Sequence, residues 1–434
     1  MDRGLFLYYA YDGEEARQSF ATAASYDPKL AMAYWGIALG DGPDLNTPLT
    51  ADRFDDAHRA IARALLLSPA SSARDRRFVS IMALRFAGTF ADWPSDDAAY
   101  RRAMAKFAQT SDDENARLLA AEALLEHGGL TWTHDTLASD ESRVAAALVD
   151  DVLRDDPTSA MANHLCLHLY DLAPDRAEAL PCAQRLDAAS FSPEAEHLAH
   201  MPAHYWIETG NYVAALASSE RAYALLVRLQ AMPDGEEHAR HYLKHDVTVG
   251  YSAAMMLSDY GAATIWAQRM TTAYGISFDA LTALRFGHDA DAYAAADPQY
   301  GNPAVQGWAA LMLGRGGEAQ ATASALEKSR ATLGYLTPLF LARVDEADND
   351  FAQARQWIAR ASREQSDDFS GELIPFIPAG DALGDLELRA GDRAAAVSAF
   401  TQTLSTYPND PHALGGLAAA RGSAGAASAG ADFP

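Results

Sequence analysis

The chain has 434 residues, 49% of them apolar, and a formal net charge of −25 from 34 basic and 59 acidic side chains. Such a surface repels nucleic acid and anionic membrane and attracts cations and basic polypeptides. No run approaches the ~20 apolar residues of a membrane span, and two cysteines, Cys166 and Cys182, build no disulfide framework and are compatible with a reducing compartment.

The opening residues, Met1-Asp2-Arg3-Gly4-Leu5-Phe6, lack the basic region, apolar run and small-residue cleavage site of a secretory signal. A helical pattern follows. Ala16, Phe20, Ala23 and Pro28 set a spacing that returns as Ala57, Ile61, Ala64 and Pro69, as Ala145, Val149, Val152 and Pro157, and as Ala396, Phe400, Thr403 and Pro408. The small residue lets two helices approach, the large one fills the gap, and proline ends the helix. This is the second helix of a tetratricopeptide hairpin with its terminating proline. Tyr34-Trp35-Gly36 marks a first helix, and Gly210-Asn211-Tyr212, Ser258-Asp259-Tyr260 and Gly391-Asp392-Arg393 mark turns between paired helices. Alanine and leucine dominate and β-branched residues are sparse, which favours helix. Between anchors the period stretches from ~34 to ~40 residues, with the extra length in the loops Gly128–Asp140 and Gly287–Pro303.

The expected fold class is all-α, a single tetratricopeptide-repeat superhelical solenoid of about nine or ten hairpins over residues 1–420, with an Ala/Gly/Ser-rich tail at 421–434 expected to be disordered. Gly4 already holds the close-packing position of its helix, so the first hairpin is cut short where a solenoid carries a polar cap. Upstream residues, a signal peptide included, are therefore expected to be missing from this chain. As it stands the chain reads as cytoplasmic, and as secreted or periplasmic where a signal has been removed.

Ten of the 13 histidines lie between His127 and His245. His164 and His168 are four apart; His197, His200 and His204 are three and then four apart; His238, His241 and His245 repeat that spacing. Residues so spaced share a helix face, and two imidazoles one turn apart can hold one metal ion. Counted on the repeat, His164 and His168 fall at positions 5 and 9 of a first helix, His197, His200 and His204 at positions 2, 5 and 9 of the next, and His245 at position 2 of the third. These positions face the concave groove, where neighbouring first helices run ~8–10 Å apart. Six histidines from three helices are expected to converge there, with His241 a further ligand and Asp171, at position 12, either a ligand or the group that orients one. Cys166 should face the hairpin core, and Pro202 should kink the His197–His204 helix. His58, His288 and His412 read as ordinary surface or core residues. His127 and His134 sit at a helix end and in a loop, and His238 reads as exposed.

The stretches His164-Leu165-Cys166-Leu167-His168-Leu169-Tyr170-Asp171 and His197-Leu198-Ala199-His200-Met201-Pro202-Ala203-His204 resemble signatures of a bacterial family of tetratricopeptide-repeat proteins. Ala31-Met32-Ala33-Tyr34-Trp35-Gly36 is similar to that family's first repeat, and the segment from Leu383-Gly384-Asp385 to Pro408 to its last, so the resemblance covers most of the chain. It implies the fold and the importance of the paired histidine motifs, and no particular reaction. Similar proteins carry a second histidine three after the first on the third helix, where this chain has Thr248 after His245.

Imidazole-rich sites suit copper, iron, nickel or zinc. No His-Glu-x-x-His stretch, glycine-rich phosphate loop, nucleophile elbow or Cys-x-x-Cys pair occurs. The expected function is a metal-dependent oxidoreductase, copper favoured over iron or zinc, with an open coordination position facing a groove that takes a small molecule or peptide. The alternatives are a non-catalytic scaffold that binds a protein or peptide partner, and metal storage or delivery.

Overall fold

The computed structural model describes residues 1–128, 132–133, 136–137, 139–171, 173, 176–232, 235–257, 259–296, 302–329, 334–368 and 377–422. Among them are 23 α-helices, three short 3-10 turns and a two-residue antiparallel ladder that pairs Trp132 with Leu137 and Thr133 with Thr136. Ser258, His134 and the tail from 423 onward lie outside the described residues.

The protein is an all-α array of tetratricopeptide-type helical hairpins, and its two compact units are Met1–Tyr205 with Arg221–His241, and Trp206–Glu220 with Tyr242–Pro434. In the first, Asp2–Tyr9 packs on Gly13–Tyr26, Ala31–Gly40 on Ala51–Leu67, Ala73–Arg85 on Trp93–Ala108, Glu114–Gly128 on Asp140–Asp155, and Ala160–Tyr170 on Leu180–Ala188. In the second, Asp279–Arg285 packs on Asp289–Ala295, Pro303–Met312 on Gly316–Ser329, Leu336–Ala347 on Phe351–Asp368, and Ala379–Ala390 on Arg393–Thr406, which the last helix, Pro411–Arg421, covers. The Gly287–Pro303 segment is thus more than a loop: it carries one of two seven-residue helices that pair with each other and are too short to display a repeat.

Helix starts follow the local chemistry. The side chains of Asp12, Thr50, Ser72, Ser139, Ser159, Asp259, Asp392 and Asp410 each accept from a backbone N–H in the first turn of the helix that follows. The repeat positions pack as their sizes require. Ala16, Phe20, Ala57, Ile61, Ala145, Val149, Ala396 and Phe400 are all buried. A Cβ on Gly36 would stand 2.3 Å from Phe20 Cδ1, and one on Gly384 2.5 Å from Phe400 Cε1. Only glycine admits the large ring of the partner helix at that distance.

Two features of the units bear on function. In the first unit, the N-terminal helix reaches helices far along the chain. Arg3 pairs with Glu194 at 3.1 Å, the Tyr8 hydroxyl donates to Glu122 at 2.7 Å, the Tyr9 hydroxyl donates to Asn115, and Ala10 packs with Ala195 and Leu198. In the second unit, the hydroxyl of Tyr212 donates to the carbonyl of Pro408 at 2.8 Å and Asn409 Nδ2 donates to the carbonyl of Gly210. Gly210, at φ +73°, sits so close that a Cβ would lie 2.0 Å from the Pro408 oxygen.

Cys166 and Cys182 are bonded to each other and tie Ala160–Tyr170 to Leu180–Ala188. A count of two gave no reason to pair them. The hairpin supplies it, bringing two buried positions 16 apart to a Cα separation of 6.4 Å. Disulfides of this kind persist in oxidising compartments.

Candidate metal centre

Five of the expected histidines come together in the first unit. Ser159 caps the Ala160–Tyr170 helix, and its three-and-a-half-residue turn stacks His164 and His168 on one face. The Glu196–Glu208 helix carries His197, His200 and His204 and continues through Pro202 to Glu208. His164 and His200 are fully buried, His197 and His204 are buried, and His168 is partly buried.

His164, His168 and His197 each offer one ring nitrogen within 4.8 Å of the others. The His164 ring lies 4.8 Å from that of His168 and 5.0 Å from that of His197, centroid to centroid. The Nδ1–H of His164 donates to the carbonyl oxygen of Tyr9 at 3.2 Å. That fixes the tautomer and leaves a lone pair on Nε2. The Nε2 of His168 stands 3.0 Å from it. His200 and His204 form a second close pair, Nε2 to Nε2 at 2.8 Å, and the His200 ring is 6.2 Å from that of His197. Two ring nitrogens at such distances either share one proton or face one cation.

Burial pushes the imidazole of His164 down to about 4, against a small upward pull from the Tyr9 carbonyl. Burial also pushes His168 well below the ordinary value, His164 and His204 adding to the effect and Asp171 opposing it. Both rings are therefore neutral at physiological pH, the form that binds metal.

The ring of Tyr11 lies over the histidines, 4.4 Å from His164 and 5.8 Å from both His168 and His197, nearly parallel to the latter two. Asn46, from the loop after the Ala31–Gly40 helix, places its amide 3.4 Å from Nε2 of His197. Tyr9, Tyr11 and Asn46 escaped the sequence reading. The aromatic run Tyr8-Tyr9-Ala10-Tyr11 was their one visible signal, and it fits ordinary packing equally well.

Asp171 follows the end of the Ala160–Tyr170 helix and joins neither group of ring nitrogens, although its charge acts on His168. His245 belongs to the second unit, partly exposed on the Gly235–Met256 helix. The side chains of His238 and His241 lie outside the described residues. His127 is exposed. His58 bonds the carbonyl of Phe86 through Nδ1, His288 stacks on Tyr260, and His412 pairs with Asp385 at 2.9 Å.

Two solved structures are similar over nearly the whole chain. A crystal structure of yeast Tom70 superposes with a TM-score of 0.35 and 11% identity, covering 97% of this chain and 94% of that one. The structure of Naa15/Naa10 bound to HypK-THB superposes with a TM-score of 0.25 and 15% identity, covering 96% of this chain and 59% of that one. At that level the likeness bears on none of the histidines. No protein-family model and no curated protein matches the sequence.

Proposed function

We propose that the protein binds a transition-metal ion through His164, His168 and His197, with His200 and His204 adjoining. The observation that carries this reading is the convergence of three ring nitrogens within 4.8 Å, with burial lowering the pKa of His164 and His168. An all-imidazole donor set suits copper, iron or zinc.

Bound copper would supply one-electron redox chemistry, and the reaction class we attach to the site is oxidoreductase chemistry on a small molecule or peptide. The chain's part is to bury His164 and His168, which lowers their pKa, and to orient His164 through the Tyr9 carbonyl. The ring of Tyr11 lies against these imidazoles, so storage or delivery of metal is the second use of the same ligands.

A non-catalytic scaffold is the alternative from another class. The charge of −25 on an array of helical hairpins favours a basic polypeptide as its partner. Metal content decides between these readings. Tag-free protein is assayed by plasma mass spectrometry beside a His164→Ala/His197→Ala double variant. One or two equivalents of copper or iron, lost in the variant, carries the metal reading. A chain that stays empty after exposure to copper, iron and zinc leaves the scaffold.

A further inference from the structure

The described residues hold ten positions in the left-handed backbone region. Seven are glycine, two are asparagine, Asn349 and Asn409, and the tenth is Tyr11, at φ 56°. Tyr11 ends the turn after the Asp2–Tyr9 helix, where its N–H donates to the carbonyl of Tyr8 at 2.9 Å and that of Asp12 to the carbonyl of Leu7 at 3.0 Å. Glycine is the usual residue of such a helix stop, because a Cβ strains it. Strain kept at one position calls for a compensating role, and such positions cluster at functional sites. Here the strained residue sends its ring, 2% exposed, onto His164, His168 and His197.

We propose that Tyr11 is a positioning residue of the histidine centre, its ring holding the three imidazoles in the arrangement that receives the ion and closing the centre on that side. The inference rests on the metal reading above. The same turn does two things at once: the Tyr9 carbonyl selects the His164 tautomer, and two residues later the Tyr11 ring limits how His168 and His197 tilt. Outer contacts of this sort are worth 10–100-fold in metal affinity. A coordination sphere set by residues at the start of the chain is then lost without touching any ligand.

The test uses the full chain loaded with copper alone. Copper(II) affinity is measured by chelator competition, and the electron paramagnetic resonance spectrum is recorded, for Tyr11→Phe, Tyr11→Ala and Tyr11→Gly. Denaturation of each metal-free variant runs alongside. Tyr11→Phe keeps the ring and should keep affinity and spectrum. Tyr11→Ala and Tyr11→Gly should each lose at least ~10-fold in affinity and change the spectrum. The glycine variant relieves the backbone, so its loss belongs to the ring. Should both small variants fail to fold, Tyr11→Leu fills the space without a planar ring and makes the same comparison. A folded glycine or leucine variant with wild-type affinity and spectrum overturns the role of Tyr11 and leaves the metal reading standing. Where the wild type takes up iron or zinc in place of copper, the affinity comparison is made with that ion, and a wild-type chain that takes up none of the three overturns both.

Discussion

The Nδ1–H of His164 donates to the carbonyl oxygen of Tyr9, a contact between residues 155 positions apart. It makes the first helix part of the surroundings of the histidines and leaves one nitrogen of His164 facing its neighbours. The ligands are therefore expected to act as a set. His168→Ala in the full chain should weaken copper binding by more than the ~100-fold ceiling of an outer contact, and His197→Ala should do the same. His288→Ala, on a ring 44% exposed and stacked on Tyr260, should change nothing. Chelator competition reads all three, and equal affinities throughout would remove the site.

Acid should destabilise the metal-free protein in a defined window. His164 has a folded pKa of about 4, below its ordinary value of 6.5. Between those values the unfolded chain binds the proton and the folded one does not. The contribution is complete above pH 6.5 and is lost as pH falls toward 4. For His164 alone it amounts to about 3 kcal/mol, and His168 acts in the same direction. Urea denaturation across pH 4 to 7 measures it. A flat profile would show that these rings are already charged or solvated.

In the second unit, the carboxyl group of Asp381 is fully buried beside that of Asp410. Burial raises its pKa well above the ordinary value, and the charge of Asp410 raises it further, while Arg285 opposes. A raised folded pKa gives stability that is present below the unfolded value and lost as pH rises through the folded one. Asp381→Asn removes that loss. The variant should gain on the wild type as pH rises, by about 1–3 kcal/mol at the alkaline end, read from denaturation midpoints. A constant difference across pH would count against it.

Glycines of the array should respond in opposite directions. Gly36→Ala gains helix propensity worth up to ~1 kcal/mol, but its methyl group would meet the Phe20 ring at 2.3 Å. Overpacking costs about 1–3 kcal/mol and should win. Gly317→Ala, where a Cβ meets nothing within 4 Å in the Gly316–Ser329 helix, should stabilise by about 0.5–1 kcal/mol. Thermal melts of the two variants give the signs directly.

The bond between Cys166 and Cys182 closes a loop of 16 residues. Closing a loop of that length stabilises by about 3 kcal/mol in the chain-entropy account. Both thiols should resist alkylation until reductant is added, and the reduced protein should melt lower. Two thiols alkylated without reduction in protein from an oxidising preparation would show that the bond does not form.

Periodicity determined the architecture. The spacing from Ala16 to Pro28, and again from Ala396 to Pro408, follows from how closely two helices can approach, and that local rule is written in residue size. Histidine spacing likewise put His164 with His168, and His200 with His204, because a helix turn is a local geometry. Tertiary structure decided what lies across the chain. Tyr11 reaches the imidazoles only because the N-terminal helix packs against Ala195 and Leu198, and Cys166 meets Cys182 only because a short hairpin folds back. Such contacts depend on the summed rotation of many hairpins, and no short window of sequence carries that sum. The same summation covers the histidines with a tyrosine, where residue spacing alone implied an open groove.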